Sequence, residues 1–168
     1  MPEKAMDRLD LRILDVLQQD GRISFAALAR RVHLSPTPCV ERVRRLERLG
    51  YIRGYGARLD PHRLGARLLA FVEIRLDRTT PDVFDHFKEA VVQVPEVQEC
   101  HMVAGGFDYL VKLRVADMEA YRQILGERIT ALPGVEQTHT YFVMEEVKST
   151  HAIALPPEDG QPASPGRG

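Results

Sequence analysis

Four arginines lie within seven residues of one another, at Arg42, Arg44, Arg45 and Arg48. A guanidinium group presents its N–H donors in a planar fork, which can pair with a guanine edge or hold a phosphate. In a helix, successive side chains turn by about 100°, so this segment would have two distinct sides. The apolar side would carry Cys39, Val40, Val43 and Leu46. The polar side would carry Thr37, Glu41, Arg44, Arg45 and Arg48, with Arg42 at the boundary.

Two prolines, Pro36 and Pro38, precede the arginines, and prolines usually break helices. Ser35 is a suitable N-cap residue, which places Pro36 at the first helical position and Pro38 at the third. The N–H groups of the first turn have no partner within the helix, so prolines there remove no hydrogen bond. We therefore predict a helix from Pro36 to Leu49, followed by Gly50 as a left-handed stop.

Two shorter helices are predicted before this one. In "DRLDLRILDVLQQDG", apolar residues recur at helical spacing after Asp7, which is a preferred N-cap residue type, and in "SFAALARRV" Ser24 is expected to cap the next helix. The stretch "HLS" then forms a tight turn. This arrangement predicts a helix-turn-helix whose third helix enters a DNA major groove. The alternative is an arginine face that is merely solvated on a small helical bundle.

The charge distribution favours the DNA-binding alternative. The chain of 168 residues has a net charge of −1. Residues 1–60 hold 12 Lys and Arg against 8 Asp and Glu, a net of +4, whereas the remainder holds 11 against 16, a net of −5. A basic front end on an acidic body indicates that only the front end meets a polyanion.

From residue 67 onward the hydrophobic period changes. "LLAFVEIRL" alternates apolar and polar residues as a strand does, and helical spacing returns in "TPDVFDHFKEAVVQVP". The order β-α-β-β-α-β predicts a ferredoxin-like sandwich and an α+β fold class. Because both helices cover one face of such a sheet, we expect a partner subunit on its other, apolar face. The predicted elements are strand 68–76, helix 80–95, strand 97–105, strand 108–115, helix 117–134 and strand 135–147.

These patterns divide the chain into four parts. Residues 1–60 are predicted to form the helix-turn-helix domain with a short hinge strand at Tyr51, Ile52 and Tyr55. Residues 61–66 are predicted to be a linker and residues 67–152 the ferredoxin-like domain. Residues 153–168 are rich in Pro and Gly and are predicted to be a disordered tail.

Several of these segments together resemble the Lrp/AsnC family of bacterial transcription regulators. The matching text includes "LDLRILDVLQQDGRIS", "LSPTPCVERVRRLERLGYIRGY", "QECHMVAGGFDYLVK", "LPGV" and "TYFVMEEVK". The resemblance covers nearly the whole chain before the tail. It implies a helix-turn-helix domain, a hinge strand and a ferredoxin-like, RAM-type domain that binds an effector. One departure is Gly106, where the most similar family member has an acidic residue.

The resemblance also implies an effector site near the loop between the second and third strands of the C-terminal domain. In the family the ligand is usually an amino acid, bound at contacts between dimers. Asp108 is suited to accept hydrogen bonds from an α-ammonium group, and Met102 and Val103 suit an aliphatic side chain, so leucine is the effector expected first. The alternative is an ordinary hairpin turn with a solvated Asp108. The expected site comprises Met102, Val103, Ala104, Gly105, Gly106 and Asp108, with Thr130 from the following helix.

The predicted DNA site lies on the third helix. Ser35, Thr37 and Pro38 are expected near the groove floor or the flanking phosphates. Arg42 is expected to contact a phosphate or to pair with Glu47 inside the domain. The predicted contact set is Ser35, Thr37, Pro38, Glu41, Arg42, Arg44, Arg45 and Arg48.

The sequence offers little for catalysis or metal binding. Glu99, Cys100 and His101 are adjacent on a predicted strand, so their side chains alternate between faces and cannot share a metal. No phosphate-binding Gly-rich loop or Ser/His/Asp arrangement is visible. We therefore expect no enzyme, no metal and no cofactor other than the amino-acid effector.

The function that these observations predict is a sequence-specific transcriptional regulator whose oligomeric state responds to an amino acid. The expected partners are double-stranded DNA and further copies of the chain, as a dimer that assembles into an octamer or similar particle. With no apolar run of membrane length and no secretory signal, the expected location is the cytoplasm, on the nucleoid. The alternatives are an architectural DNA-compacting protein without an effector, and an enzyme on the ferredoxin-like domain.

Overall fold

The computed structural model describes residues 6–156 of the chain. This part divides into two units. One contains the described residues up to Ala57 together with those from Lys148 onward, and the other is Arg58–Val147. The predicted domain limits at residues 60, 66 and 152 stay predictions, and most of the predicted disordered tail lies outside the described residues. None of the helices in this range has the length and apolar character to cross a membrane.

The first unit contains three helices, α1 (Arg8–Gln19), α2 (Phe25–Arg31) and α3 (Pro36–Arg48). Helix α1 begins with a reciprocal cap, in which Asp7 accepts from the Asp10 N–H and Asp10 accepts from the Asp7 N–H, both at 3.0 Å. At the start of α2, the Ser24 hydroxyl accepts from the Ala27 N–H at 3.2 Å. These caps satisfy N–H groups that have no partner inside the helix.

The turn between α2 and α3 depends on a non-glycine residue in the left-handed region. His33 has φ 58°, which is uncommon outside glycine but tolerated by histidine. Helix α3 ends as predicted, with Leu49 as C-cap and Gly50 at φ 75°. The core between the three helices consists of fully or almost fully buried side chains, namely Ile13, Val16, Leu28, Ala29, Val32, Cys39, Val43 and Leu46.

The predicted hinge strand is not formed. Tyr51, Ile52 and Tyr55 lie in no assigned strand, and Tyr51 and Tyr55 are each 52% exposed. The prediction rested on β-branched and aromatic residue types, but a strand also needs a neighbour to accept and donate its hydrogen bonds. In residues 6–156, no strand is assigned beside this segment.

The second unit contains the predicted βαββαβ order. Its strands are β1 (Leu68–Leu76), β2 (Val97–Met102), β3 (Tyr109–Val115) and β4 (Val135–Phe142), and its helices are α4 (Pro81–Val91) and α5 (Met118–Ile124). The sheet is antiparallel with the strand order β2-β3-β1-β4, as in a ferredoxin-like fold. Helix α5 continues into a π-helical turn, Leu125–Ile129. The α+β fold predicted from the sequence is confirmed.

The two faces of the sheet differ in composition. Ala70, Val72, Ile74 and Leu76 of β1 pack with α4 and α5 in one buried apolar cluster. The opposite, open face carries the alternate residues, and the prediction that this face is apolar is wrong. Strand registers place the following residues there: Leu69, Phe71, Glu73, Arg75, Leu110, Lys112, Arg114, Gln137, His139 and Tyr141. Apolar residues concentrate in part of this face, and charged residues occupy the rest.

The last strand is shorter than predicted. β4 ends at Phe142, whereas the sequence pattern predicted a strand as far as residue 147. The Val143 N–H donates to the Leu69 carbonyl at 3.0 Å, after which the chain leaves the sheet. Glu146 then accepts a hydrogen bond from Arg114 of β3 at 2.6 Å, so this carboxylate is tied to the open face by an ion pair.

Candidate nucleic-acid interface and ligand loop

One side of α3 is open to solvent and carries most of the predicted DNA-binding residues. Ser35 caps the helix with its backbone in an extended conformation, but its hydroxyl makes no capping hydrogen bond. That hydroxyl therefore remains available to an external acceptor. Pro38 is partly buried in the first turn of the helix. The exposed predicted residues are Ser35, Thr37, Glu41, Arg44 and Arg48.

Arg42 and Arg45 turn toward α1 instead. The Arg42 guanidinium donates to Asp7 at 2.7 Å and to Asp10 at 2.8 Å. Arg45 donates to the second carboxylate oxygen of Asp10. Asp10 itself is completely buried, and a buried carboxylate is tolerated only when it is paired and hydrogen-bonded. These two arginines thus join α3 to the start of α1.

The prediction of an ion pair for Arg42 was therefore correct, but the predicted partner was not. An ion pair inside the domain is present, but with Asp7 and Asp10, and the alternative with Glu47 is wrong. Glu47 instead accepts a hydrogen bond from the Tyr55 hydroxyl at 3.1 Å. Burial together with the Glu47 carboxylate raises the pKa of Tyr55 to about 12, so the phenol stays protonated near neutral pH.

The ion pairs also shift the titration of their members. Burial raises the pKa of Asp7, but hydrogen bonds from Arg42 and from the Asp10 N–H outweigh it, so the net pKa lies below the usual aspartate range. The hydrogen bond to Asp7 raises the pKa of Arg42 further above its already high value. The pair is accordingly charged at every physiological pH.

Arg44 and Arg48 differ from this pair. Both are exposed, and within residues 6–156 neither forms an ion pair with a carboxylate. Two of the four arginines are therefore committed inside the unit and two face solvent. The sequence contained a signal for this division, because Asp10 falls on the apolar stripe of α1, three residues before Ile13. A carboxylate on a buried stripe requires a cation, although the sequence cannot say which arginine supplies it.

The second candidate site is the loop from Met102 to Asp108, between β2 and β3. Three hydrogen bonds, each with a backbone N–H donor, hold the two ends of this loop. The Val103 N–H donates to the Asp108 carbonyl at 2.9 Å, and the Asp108 N–H donates to the Ile74 carbonyl at 2.9 Å. The Asp108 side chain also accepts from the Leu76 N–H at 2.8 Å. The loop is thus anchored to the end of β1.

This contact changes the expectation for Asp108. The sequence predicted a carboxylate that receives an α-ammonium group, whereas one of its oxygens is already bound to the backbone of β1. Asp108 is half-buried, so it is not simply the solvated flank of a hairpin. Its contact with an effector stays a prediction, now with an anchoring role beside it.

Gly105 and Gly106 are exposed at the tip of the loop. Neither has a positive φ, and a Cβ at either position would meet no other heavy atom within 4 Å. The backbone conformation therefore does not require glycine here, and the two residues leave the loop backbone accessible from outside. Met102 and Ala104 are exposed as well, and Val103 is partly buried.

Thr130 lies at the same end of the sheet as this loop. Leu76 pairs with Val135, a few residues after Thr130, and the Leu76 N–H binds Asp108 of the loop. The Thr130 hydroxyl, however, donates to the Gly126 carbonyl at 3.0 Å, within its own helical turn. In the described part of the chain Thr130 forms no hydrogen bond with the loop, so its place in the effector site stays a prediction.

The strand residues with metal-ligand chemistry are engaged in other contacts. Glu99 accepts from Lys112 at 2.7 Å and lies 3.2 Å from the His101 ring, all on the open face. The Lys112 hydrogen bond lowers the pKa of Glu99. Cys100 points to the opposite face, where burial raises the pKa of its thiol. Over residues 6–156, no group of three or more His, Cys, Asp or Glu is placed to hold a metal ion.

Comparisons with known proteins agree with this two-part organisation. An AsnC-type helix-turn-helix domain model matches residues 6–47, and an Lrp/AsnC ligand binding domain model matches residues 69–153. The chain is 59% identical over 154 residues to the leucine-responsive regulatory proteins of Klebsiella pneumoniae and Escherichia coli K12, covering 92% of this chain and 94% of each relative.

Solved structures give the same result for the fold. A transcriptional regulator from Neisseria meningitidis in an L-Met complex superimposes with a TM-score of 0.85 at 34% identity, covering 89% of this chain and 97% of that one. An AsnC family regulator from Agrobacterium tumefaciens superimposes with a TM-score of 0.85 at 36% identity, with the same coverage.

Proposed function

The chain belongs to the Lrp/AsnC family of transcriptional regulators, and from that premise we propose that it reads operator DNA with the exposed side of α3. It is a DNA-binding regulator that responds to an amino acid, and it is not an enzyme. The proposal concerns the residues that carry this activity, the identity of the effector and the assembly. Its location would be the cytoplasm, where its DNA target lies.

The observation that carries the DNA site is the division of the arginines. Arg42 and Arg45 are bound to Asp7 and Asp10, so their charge is largely compensated inside the unit. Arg44 and Arg48 have no such partner in the described chain and project from the same helix. We assign DNA contact to Arg44 and Arg48, together with the exposed Ser35 and Thr37 at the helix start. Arg42 and Arg45 then set the position of α3.

An operator-binding assay with two variants tests this assignment. Arg44→Ala and Arg48→Ala should each weaken operator binding by about 1–3 kcal/mol, and a variant that loses a phosphate contact should also show a smaller salt dependence. Thermal unfolding should stay unchanged in both. Equal affinity of wild type and both variants for the operator would remove α3 as the reading helix.

The same assay separates a specific regulator from an architectural protein. A regulator binds its operator far more tightly than random-sequence DNA at physiological salt, whereas a compacting protein binds both alike. Loss of the operator preference in Arg44→Ala or Arg48→Ala would assign base reading to that residue. Equal binding of wild type to both DNAs would instead support the architectural alternative.

The effector that we propose is leucine or a similar aliphatic amino acid. The curated relatives are named leucine-responsive, and the Neisseria meningitidis regulator was solved as an L-Met complex. In this chain the loop offers exposed Met102 and partly buried Val103 beside an accessible glycine backbone. Calorimetric titration with leucine, methionine and, as a polar control, aspartate tests this. Failure of all aliphatic amino acids to bind would remove the assignment.

A second copy of the chain is the partner that we propose for the open regions. Tyr51 and Tyr55 are each 52% exposed, and Tyr141 on the open sheet face is 50% exposed. Exposed aromatic side chains of this kind are typical of surfaces that bind another polypeptide. Assembly of such dimers into an octamer is the larger particle that we expect.

Light scattering across concentration tests the assembly and its response. A particle of several dimers whose mass shifts with millimolar leucine would support the link between effector and oligomer. Such a shift requires that leucine binds one assembly state more tightly than the other. A monomer at all concentrations would exclude the proposed assembly.

A further inference from the structure

We propose that Arg75 is a positioning residue for the effector loop and thereby sets the affinity for the amino acid. This inference rests on the proposed function of the loop between β2 and β3. Arg75 lies outside that loop, on the open face near the end of β1. Its guanidinium donates to the Gly106 carbonyl at 2.8 Å, which reaches across the sheet end to the loop tip.

An irregularity at the end of β1 creates this arrangement. The pairing between β1 and β4 shifts register between Arg75 and Leu76, since Arg75 pairs with Gln137 and Leu76 with Val135. After the shift, the Leu76 N–H donates to the Asp108 carboxylate at 2.8 Å. Two successive residues of β1 therefore hold the loop, Leu76 at its base and Arg75 at its tip. A bulge of this kind commonly redirects groups at the edge of a site.

The Arg75 contact has no substitute in the described part of the chain. The loop ends are fixed by Val103 and Asp108, but between these two residues the hydrogen bond to the Gly106 carbonyl is the only one that holds the backbone. Gly105 and Gly106 add no side-chain contacts of their own. Without Arg75 the loop tip would sample many conformations, because glycine has wide backbone freedom.

Ordering a loop opposes ligand binding, because conformational freedom is lost when the ligand binds. A donor that holds the tip before binding reduces that loss. The role belongs to arginine in particular, since its planar fork donates along a fixed direction from a long side chain. Arg75 also shares the open face with Glu73 and Gln137. If a second copy covers this face, the same side chain joins the subunit interface to the effector loop.

The test compares three variants of the full-length protein. Arg75→Met removes the donor at similar length, and Arg75→Lys keeps the charge with a different donor geometry. Arg78→Met is the matched control, because Arg78 is an exposed neighbour whose ion pair is with the adjacent Asp77 at 3.7 Å, and in residues 6–156 it makes no hydrogen bond with the loop. Leucine affinity is measured by calorimetry, and loop mobility by hydrogen exchange of the amides between Val103 and Asp108 in the ligand-free protein.

Arg75→Met should weaken leucine binding about five- to tenfold and accelerate exchange in the loop, whereas global unfolding should not shift. Arg75→Lys should recover part of the affinity, and Arg78→Met should match wild type. Unchanged loop exchange in Arg75→Met would overturn the positioning role. So would unchanged leucine affinity in that variant while wild type binds leucine.

The two parts of the experiment also separate this inference from the proposed function. If wild type binds no amino acid, the effector assignment of the loop fails. Faster exchange in Arg75→Met alone would then still support Arg75 as the residue that holds the loop. If wild type binds leucine and all three variants behave identically, only the Arg75 inference fails.

Discussion

The exposed side of α3 and the loop between β2 and β3 both depend on arginine–oxygen contacts, but of opposite kinds. In the first unit, Arg42 and Arg45 bind Asp10, a carboxylate with no solvent exposure. In the second unit, exposed Arg75 binds the carbonyl of exposed Gly106. Breaking a buried ion pair is costly because the remaining charge stays buried, whereas an exposed contact contributes less free energy.

This difference corresponds to what each region has to do. A helix that reads DNA has to present its side chains in one geometry, and a buried charge network holds α3 against α1 in that geometry. We propose that the loop between β2 and β3 senses a ligand, and the single exposed hydrogen bond from Arg75 orders its tip before the ligand binds. The same type of side chain therefore acts in two different environments, one partly buried and one exposed.

The largest effect is expected when the buried carboxylate of Asp10 is removed. Asp10→Ala should destabilise the first unit by about 3–5 kcal/mol, because Arg45 loses its partner, Arg42 keeps only Asp7, and the Asp7 N–H loses its capping acceptor. Urea unfolding followed by helical circular dichroism measures this. Asp15→Ala is the matched control on the exposed side of α1 and should change stability by less than about 0.5 kcal/mol. Similar stability of the two variants would refute a structural role for the network.

The next largest effect should separate the two arginine pairs by function. The double variant Arg44→Ala/Arg48→Ala should lose about 2–6 kcal/mol of operator affinity if the two contributions add, with unfolding unchanged. Arg42→Ala should lower unfolding stability first and DNA affinity only as a consequence. Filter-binding assays beside thermal melts distinguish these cases. Equal loss of stability in both variants would contradict the division of the arginines.

A smaller effect tests whether the loop accepts a charge. Gly106→Asp should change unfolding stability by no more than about 0.5 kcal/mol, because a Cβ there meets nothing within 4 Å and φ is not positive. The added carboxylate should strengthen leucine binding by about 1 kcal/mol if the α-ammonium group lies near the loop tip. Calorimetry measures the affinity, and Gly106→Asn controls for shape without charge. Equal affinities for Asp and Asn would place the ammonium group elsewhere.

Much of this organisation could be predicted from residue types and spacing. The prolines before α3, the stop at Gly50 and the change of period after residue 67 are local signals, and the helices and the sheet follow from them. The pairing of Arg42 with Asp7 and Asp10 is not local, since 35 and 32 residues separate the partners. The sequence offered Glu47 of the same helix as an ion-pair partner for Arg42, and that choice was wrong.

The open face of the sheet and the hinge segment also could not be predicted correctly from local sequence patterns. Alternation along β1 correctly assigned one buried face, but the composition of the other depends on which strands are neighbours. Glu73 lies between Leu110 and His139 only because β1 is central in the sheet. The hinge residues have strand-like types, yet a strand needs a hydrogen-bonding neighbour, and within residues 6–156 no strand is assigned beside them. The sequence predicted the loop of the proposed effector site. It did not predict the hydrogen bond by which the Leu76 N–H anchors Asp108.

The smallest expected effect is on the pH dependence of stability at acidic pH. The test compares a carboxylate from each of the two units. The net pKa of Asp7 is lowered, because Arg42 outweighs the opposing effect of burial, and the pKa of Glu99 is lowered chiefly by Lys112. A lowered folded-state pKa stabilises the protein fully above the unfolded value, about 3.9 for aspartate, and this contribution is lost as pH falls through the folded value.

Asp7→Asn should therefore flatten the pH dependence of hydrogen exchange in α1 below about pH 4, while Asn still caps the helix. Glu99→Gln is the matched control in the second unit. It should flatten the profile of β2 and leave that of α1 unchanged. If the α1 profile of Asp7→Asn matched wild type, the ion pair with Arg42 would contribute nothing to holding α1 and α3 together, and Asp10 alone would carry that contact.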